Sequence, residues 1–342
     1  LSARSEIFRA RSFLSFPYSV NVLKRSTHGY AQDPTKNLGL EAYEGRGAED
    51  ITLIIAAFDQ AAGCWDQFDL VSSELKEIKK TRLIRLEFEE PNKFFISEDF
   101  DSYDNDFEKI YTLCPYTSEY FNNLKGIDQR VPIFFPFNDT FVPLVHEKKY
   151  DIIYTGHLHP RPIQKEMKII SQFHYRLVSN SENELVTDRG VGYQEKLKLI
   201  SQSKVTLTHN LLYPTTRHIL NIWKYPNWRT NKAFAEVPGR LGLLNKILRG
   251  REVKVPQLKS RIFEAAFCRS LILCKKDNFN IIERYFEPDS EFIYYEEGKL
   301  AETVAMILAN YDSYLPVIDK AYSRARSQYT TSAFFDLYIK SL

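Results

Sequence analysis

Long apolar runs are missing from this chain. None approaches the ~20 residues that a membrane-spanning helix needs, and the Arg-flanked "FLSFPYSV" near the start is too short and has no cleavage-site pattern. Charge of one sign is missing too: 46 Lys and Arg stand against 44 Asp and Glu, a net +2, so overall charge selects no partner. Cysteine is scarce. Cys64, Cys114, Cys268 and Cys274 each sit among apolar residues, which supports neither a disulfide framework nor a zinc ribbon. Reduced, buried thiols in a cytoplasmic protein are the expectation. No glycine-rich phosphate fingerprint, internal repeat or low-complexity segment occurs. The acidic run "SEDFDSYDND" (97–106) could suggest an acidic metal-binding motif or a calcium loop, but it has Phe100 and Ser102 among its acids and no glycine, so a solvated acidic loop is the expectation. The chain opens on Leu1 rather than Met, so a piece of a longer polypeptide is one reading of it.

What is present is a soluble globular composition, 44% hydrophobic, 26% charged and 14% aromatic over 342 residues. At roughly 100–200 residues per domain this length favours two domains. Short apolar runs at 51–58, 81–88, 109–114 and 131–137 read as strands. Between the last two, "PYTSEYFNNLKG" reads as a helix capped by Thr117 or Ser118 and ended by Gly126. Prolines 132, 136 and 143 then break the pattern, and a boundary falls near 148. The same grammar restarts with "YDIIYTGHL", "YRLVSN" and "KVTLTHN", separated by helical stretches, and resumes after 254 with helical "SRIFEAAFC" and buried "SLILCK". The predicted architecture is α/β: two Rossmann-like doubly wound domains, 1–148 and 149–320, with a helical basic insertion at 211–254 and a C-terminal helix, 321–342, packing back toward the first domain.

Ligands of doubly wound sheets bind where the strands end, so the informative residues follow the strands. After the first strand of the second domain comes "TGHLHPR". Gly156 permits close backbone approach, and His157 and Arg161 offer donors to an anion, or the segment is a plain turn with surface histidines. His209 follows another strand. Helical "SRIFEAAFC" places Lys259, Ser260 and Arg261 around a helix N-terminus, where a diphosphate is the natural guest. Glu264, one turn on, is placed to accept ribose hydroxyls; the plain alternative is a surface Arg–Glu pair.

The span 255–335 resembles the C-terminal region of GT-B glycosyltransferases, especially the group similar to spore-maturation protein CgeB: an Arg and Glu heading a helix (Arg261, Glu264), a buried strand "SLILC", the segment "IERYFEPDSEFIYY", and Tyr329 to Thr331. "YDIIYTGHL" resembles the strand and glycine turn opening that family's donor domain. The resemblance implies two domains facing a cleft and transfer of a sugar from a nucleotide-sugar to a glycan, lipid-linked or other surface-polysaccharide acceptor. It also implies no metal and no added cofactor, with Lys259, Arg261 and Arg161 sharing the leaving diphosphate. Of the wider group's two glutamates eight apart, Glu264 matches the second, while Pro256 stands at the position of the first.

On the acceptor side Glu89, Glu90, Asp106 and His28 are the candidate bases. From Arg217 to Lys254 the insertion holds nine Lys or Arg against two Glu, a net +7, beside Trp223, Tyr225 and Trp228. It reads either as a helical hairpin packed on the second domain, or as a surface for the inner face of a membrane or an anionic acceptor. Other classes stay open: a catalytically silent nucleotide- or glycan-binding protein, a CDP-glycerol-type glycerophosphotransferase, and a nucleic-acid binder, although no nucleic acid is expected as partner.

Overall fold

The computed structural model describes residues 8–10, 20–24, 40–42, 51–55, 72, 73, 76, 79–88, 90–95, 101–138, 147–158, 160–249 and 252–339. The first half supplies β1 (Phe8–Ala10), β2 (Val20–Lys24), β3 (Leu40–Ala42), β4 (Ile51–Ile55), β5 (Arg82–Glu87), β6 (Lys109–Thr112), α1 (Pro115–Lys125) and β7 (Arg130–Pro132). Strands β2, β4, β5, β6 and β7 form a parallel sheet in that order, and β1 pairs antiparallel with β3. Helix α1 starts earlier than its sequence suggests. Pro115 opens it, a position where a missing N–H costs nothing, so Thr117 and Ser118 are buried inside the helix and do not cap it. Gly126 ends it in a left-handed conformation at φ 67°.

The two faces of this sheet are unlike. Ile84 and Leu86 turn to an apolar core, while Arg85 and Glu87, alternating with them, turn to a buried ionic cluster. Its hub is Arg130, whose Nη2 reaches both carboxylate oxygens of Asp104 at 3.0 and 2.9 Å, with Nη1 on Glu90 and the guanidinium 4.2 Å over the Phe121 ring. Asp104 is therefore not part of a solvated loop; Arg130 and Lys125 hold it inside.

The second half runs β8 (Tyr150–Thr155), α2 (Arg161–Ile170), β9 (Tyr175–Val178), α3 (Tyr193–Ser201), β10 (Ser203–Thr208), β11 (Leu211–Leu212), α4 (Thr216–Ile222), α5 (Arg240–Arg249), β12 (Val255–Pro256), α6 (Arg261–Phe267), β13 (Leu271–Lys275), β14 (Ile293–Tyr295), α7 (Leu300–Ala309), α8 (Leu315–Gln328) and α9 (Thr331–Phe334). Its parallel sheet has the order β14-β13-β10-β8-β9. The chain goes out from β8 to β9, then returns across β8 to β10. That reversal is a switch point, and it opens a crevice beyond the carboxyl ends of β8 and β10.

The insertion does not pack where a hairpin on the second domain would. Antiparallel β11 and β12 bring its two ends together, Leu211 opposite Pro256. Its body, with Ile219, Ile222, Tyr225 and Phe234, closes over Phe94, Phe95, Tyr120 and Phe121 of the first half. The Asn221 amide donates to the Phe95 carbonyl at 2.6 Å, and Lys232 pairs with Glu119 at 2.7 Å. The chain's end crosses as well. Helix α8 is continuous through 320 and lies beside α6, then Phe137 and Tyr329–Thr331 exchange backbone hydrogen bonds, and Phe334 and Tyr338 reach Tyr111 and Phe134. Phe137 stacks on Phe267 with centroids 4.1 Å apart, so one apolar core spans both halves.

Candidate active site at the switch point

Gly156 directly follows β8 at φ +143°, a conformation that side chains other than hydrogen rarely tolerate. The space a Cβ would fill is taken by the Arg261 guanidinium: an added Cβ would stand 3.0 Å from Cζ. Arg261 reaches this place from the first turn of α6 and lies 5.0 Å over the Tyr154 ring. Two residues more than a hundred positions apart thus meet at the crevice. Asn210 makes the meeting possible. Placed just past β10, it accepts the Gln257 N–H on its backbone carbonyl (2.8 Å) and the Lys259 N–H on Oδ1 (3.1 Å), tying the end of the insertion to the switch point. Lys259 Nζ is turned to the Gln257 side-chain oxygen, and the Ser260 carbonyl accepts the Glu264 N–H at 3.0 Å.

His209, at the end of β10, is buried at 2% exposure. Its Nε2 sits between Glu166 Oε2 and the Tyr295 hydroxyl (2.9 Å), while Lys275 holds the other Glu166 oxygen at 2.8 Å. Burial alone would raise the Glu166 carboxyl, but the charges and hydrogen bonds of His209 and Lys275 outweigh it and pull the pKa down to about 2. His209 Nδ1 is buried with no hydrogen-bond partner among the described residues. Sequence reasoning missed Glu166, Lys275, Tyr295 and Asn210. A signal existed for Glu166, an acid lying in the apolar stripe of Ile163, Met167 and Ile170 along α2.

Glu264 does not share an outer face with Arg261. It is 1% exposed and accepts the Lys196 ammonium from α3 at 2.9 Å, which removes the plain surface-pair reading. Arg161 is exposed at the start of α2. His157 helps line a recess of about 430 Å³ with Gln164, Asn180, Glu182 and Asn183, beyond the ends of β8 and β9. Of the acceptor-side candidates, Glu89 and His28 lie outside the described residues. Glu90 is fully buried; that burial raises its carboxyl pKa against the pull of Arg130, and it accepts the Thr112 hydroxyl at 2.6 Å, so it has no path to an acceptor. Asp106 precedes β6 at the amino edge of the sheet, away from the ligand edge, and pairs with Lys79 at 3.0 Å. Among the described residues no group of three or more His, Cys, Asp or Glu is arranged to hold a metal ion.

No protein-family model matches the chain, and no curated protein matches it in sequence. Solved structures do match in fold. An alpha-glucosyltransferase in complex with UDP and a 13-mer DNA superposes with a TM-score of 0.52 at 12% identity, covering 86% of this chain and 80% of that one. Anabaena HepE in complex with UDP and glucose matches at 0.50, 8% identity, 86% and 77%. S. aureus TarM in complex with fondaparinux, alpha-GlcNAc-glycerol and UDP matches at 0.50, 7% identity, 84% and 54%, so the chain spans about half the length of TarM. The chain has the GT-B glycosyltransferase fold. Within this fold, Gly156 and His209 directly follow β8 and β10 of the second sheet, and Arg261 opens α6.

Proposed function

We propose that the protein transfers a sugar from a uridine-diphosphate sugar to a glycan or lipid-linked acceptor, with the donor held by the second sheet. The observation that carries this reading is the Arg261 guanidinium seated against Gly156 at the switch point, a fixed cation at the one edge where open α/β sheets bind ligands. Three further features support it. Arg161 and Lys259 add positive charge nearby, and they and Arg261 would stabilise a departing diphosphate without a metal. The unpartnered His209 Nδ1 costs desolvation that a ligand atom would recover. The amide- and carboxylate-lined recess beyond β9 suits a hydroxyl-rich group. UDP is named because it is bound in the three solved structures of this fold described above.

A thermal-shift panel of UDP, GDP, CDP, ADP and dTDP tests the donor site. Ligand at about a hundred times its Kd stabilises by about 2.7 kcal/mol, enough to raise the melting temperature by several degrees. UDP is expected to give that rise, and Arg261→Ala to abolish it while the unliganded protein melts as before. A full shift in the variant removes the assignment. A second reading, a nucleotide binder without turnover, is favoured by Pro256, which occupies β12 where the wider group has a glutamate. UDP binding with no hydrolysis or transfer across a panel of UDP-sugars would establish it.

A further inference from the structure

The two most exposed large apolar side chains among the described residues are Leu241, at 91%, and Leu244, at 63%, three positions apart on α5 and so on one side of it. Between them Leu243 turns inward, at 8%, to join Val237 and Val253 in the core that closes over the first half. The inward side of the helix is thus accounted for, and its outward side presents leucine to water. Basic groups border it. Arg240 is exposed next to Leu241, and the Arg229 guanidinium lies against Gly239, one residue before α5, where an added Cβ would stand 3.7 Å from its Cζ. Arg229 also lies 5.1 Å over the ring of half-buried Trp228, and the Trp223 indole donates to the Pro238 carbonyl at 3.0 Å, which fixes this corner.

We propose that this face of α5 docks the protein on an anionic lipid surface. Exposed aliphatic side chains beside arginine and an indole are the pattern that settles into the headgroup boundary, leucines entering the acyl edge and cations pairing with lipid phosphates. Other occupants fit less well. Bases and sugar rings stack on aromatic faces, but the Trp228 ring is covered by Arg229 and the outward side of α5 offers leucine. A second copy would bring two stretches of net charge +7 together. With leucines on one side of α5 and the core on the other, the attachment lies in the plane of the surface. Because the opposite side of the insertion is packed on Phe94 and Tyr120, docking holds the first half at the membrane although the insertion belongs to the second.

Attachment needs no turnover, so its test is separate from that of sugar transfer. The full chain is sedimented with phosphatidylcholine vesicles, with and without phosphatidylglycerol, at low and physiological salt. Binding is expected only with the anionic lipid and weaker in salt. Leu241→Asp with Leu244→Asp, and separately Arg229→Ser with Arg240→Ser, are each expected to weaken it by about tenfold or more, with the circular dichroism spectrum unchanged. Variants that bind vesicles as wild type does, or equal binding to uncharged vesicles, overturn the proposal. So does an oligonucleotide complex, or a dimer dispersed by the leucine variants, in the absence of vesicle binding.

Discussion

Glu166 is a carboxylate with 11% of its side chain exposed, and it stays charged because His209 and Lys275 close on its two oxygens. Its pKa falls from the ordinary 4.5 to about 2 in the folded protein. An unfolded chain takes up the proton first as pH drops, so the stabilisation is whole above about pH 5 and is lost between about 4.5 and 2. Urea titrations from neutral to low pH should show wild type losing on the order of 3 kcal/mol across that window, with Glu166→Gln giving a much flatter profile. Equal slopes would mean that the carboxylate is not held in this way. The same residue shows where sequence reading stopped. Lying on the buried stripe of α2 marks Glu166 as unusual, but its partners arrive from β10, β13 and β14. Glu264 shows the same limit: spacing from Arg261 puts it on the same helix, but its partner Lys196 arrives from α3.

At the scale of elements, the insertion shows how little an apolar pattern says about what it will cover. Ile219, Ile222, Tyr225 and Phe234 had to be buried against something, and the second domain was nearest in sequence. The surface actually used is formed by Phe94, Tyr120 and Phe121, with Phe94 stacked 5.6 Å from Phe121 and edge-on to Phe234 at 5.0 Å. Phe94→Ala would leave a cavity where the insertion meets the first half. The expected cost is about 3–5 kcal/mol by denaturant unfolding, and a loss below about 1 kcal/mol would show that the insertion is not anchored there. The strands fared better. β4 to β10 and β13 were visible as apolar runs between turn signals, and in β5, β6, β8, β10 and β13 burial on both faces writes itself into consecutive residues. Strands β2 and β14 were missed because neither carries such a run: β2 is VNVLK, broken by Asn21 and Lys24, and β14 has only the three residues IYY.

At the scale of the whole molecule, two sheets share a core. Phe134 and Phe137 from the first half pack with Phe263, Phe267, Tyr329 and Phe334, and the Tyr285 hydroxyl donates to the Ile133 carbonyl at 3.1 Å. Halves joined through this core and through the insertion should melt together. Calorimetry is expected to give a single transition with equal calorimetric and van't Hoff enthalpies; two resolved transitions would show that the shared core contributes little. The amino-acid sequence by itself determined the alternation of strands and helices, the parallel sheets that such alternation requires, and the glycine turn after β8, because these follow from periodicity and local backbone preference. Tertiary structure alone decided that Arg261 fills the space beside Gly156, that Glu90 and Glu264 are buried partners of cations, and that the insertion crosses to the first half. Each of these depends on side chains brought together from distant parts of the chain, and local patterns carry no record of which distant group will arrive.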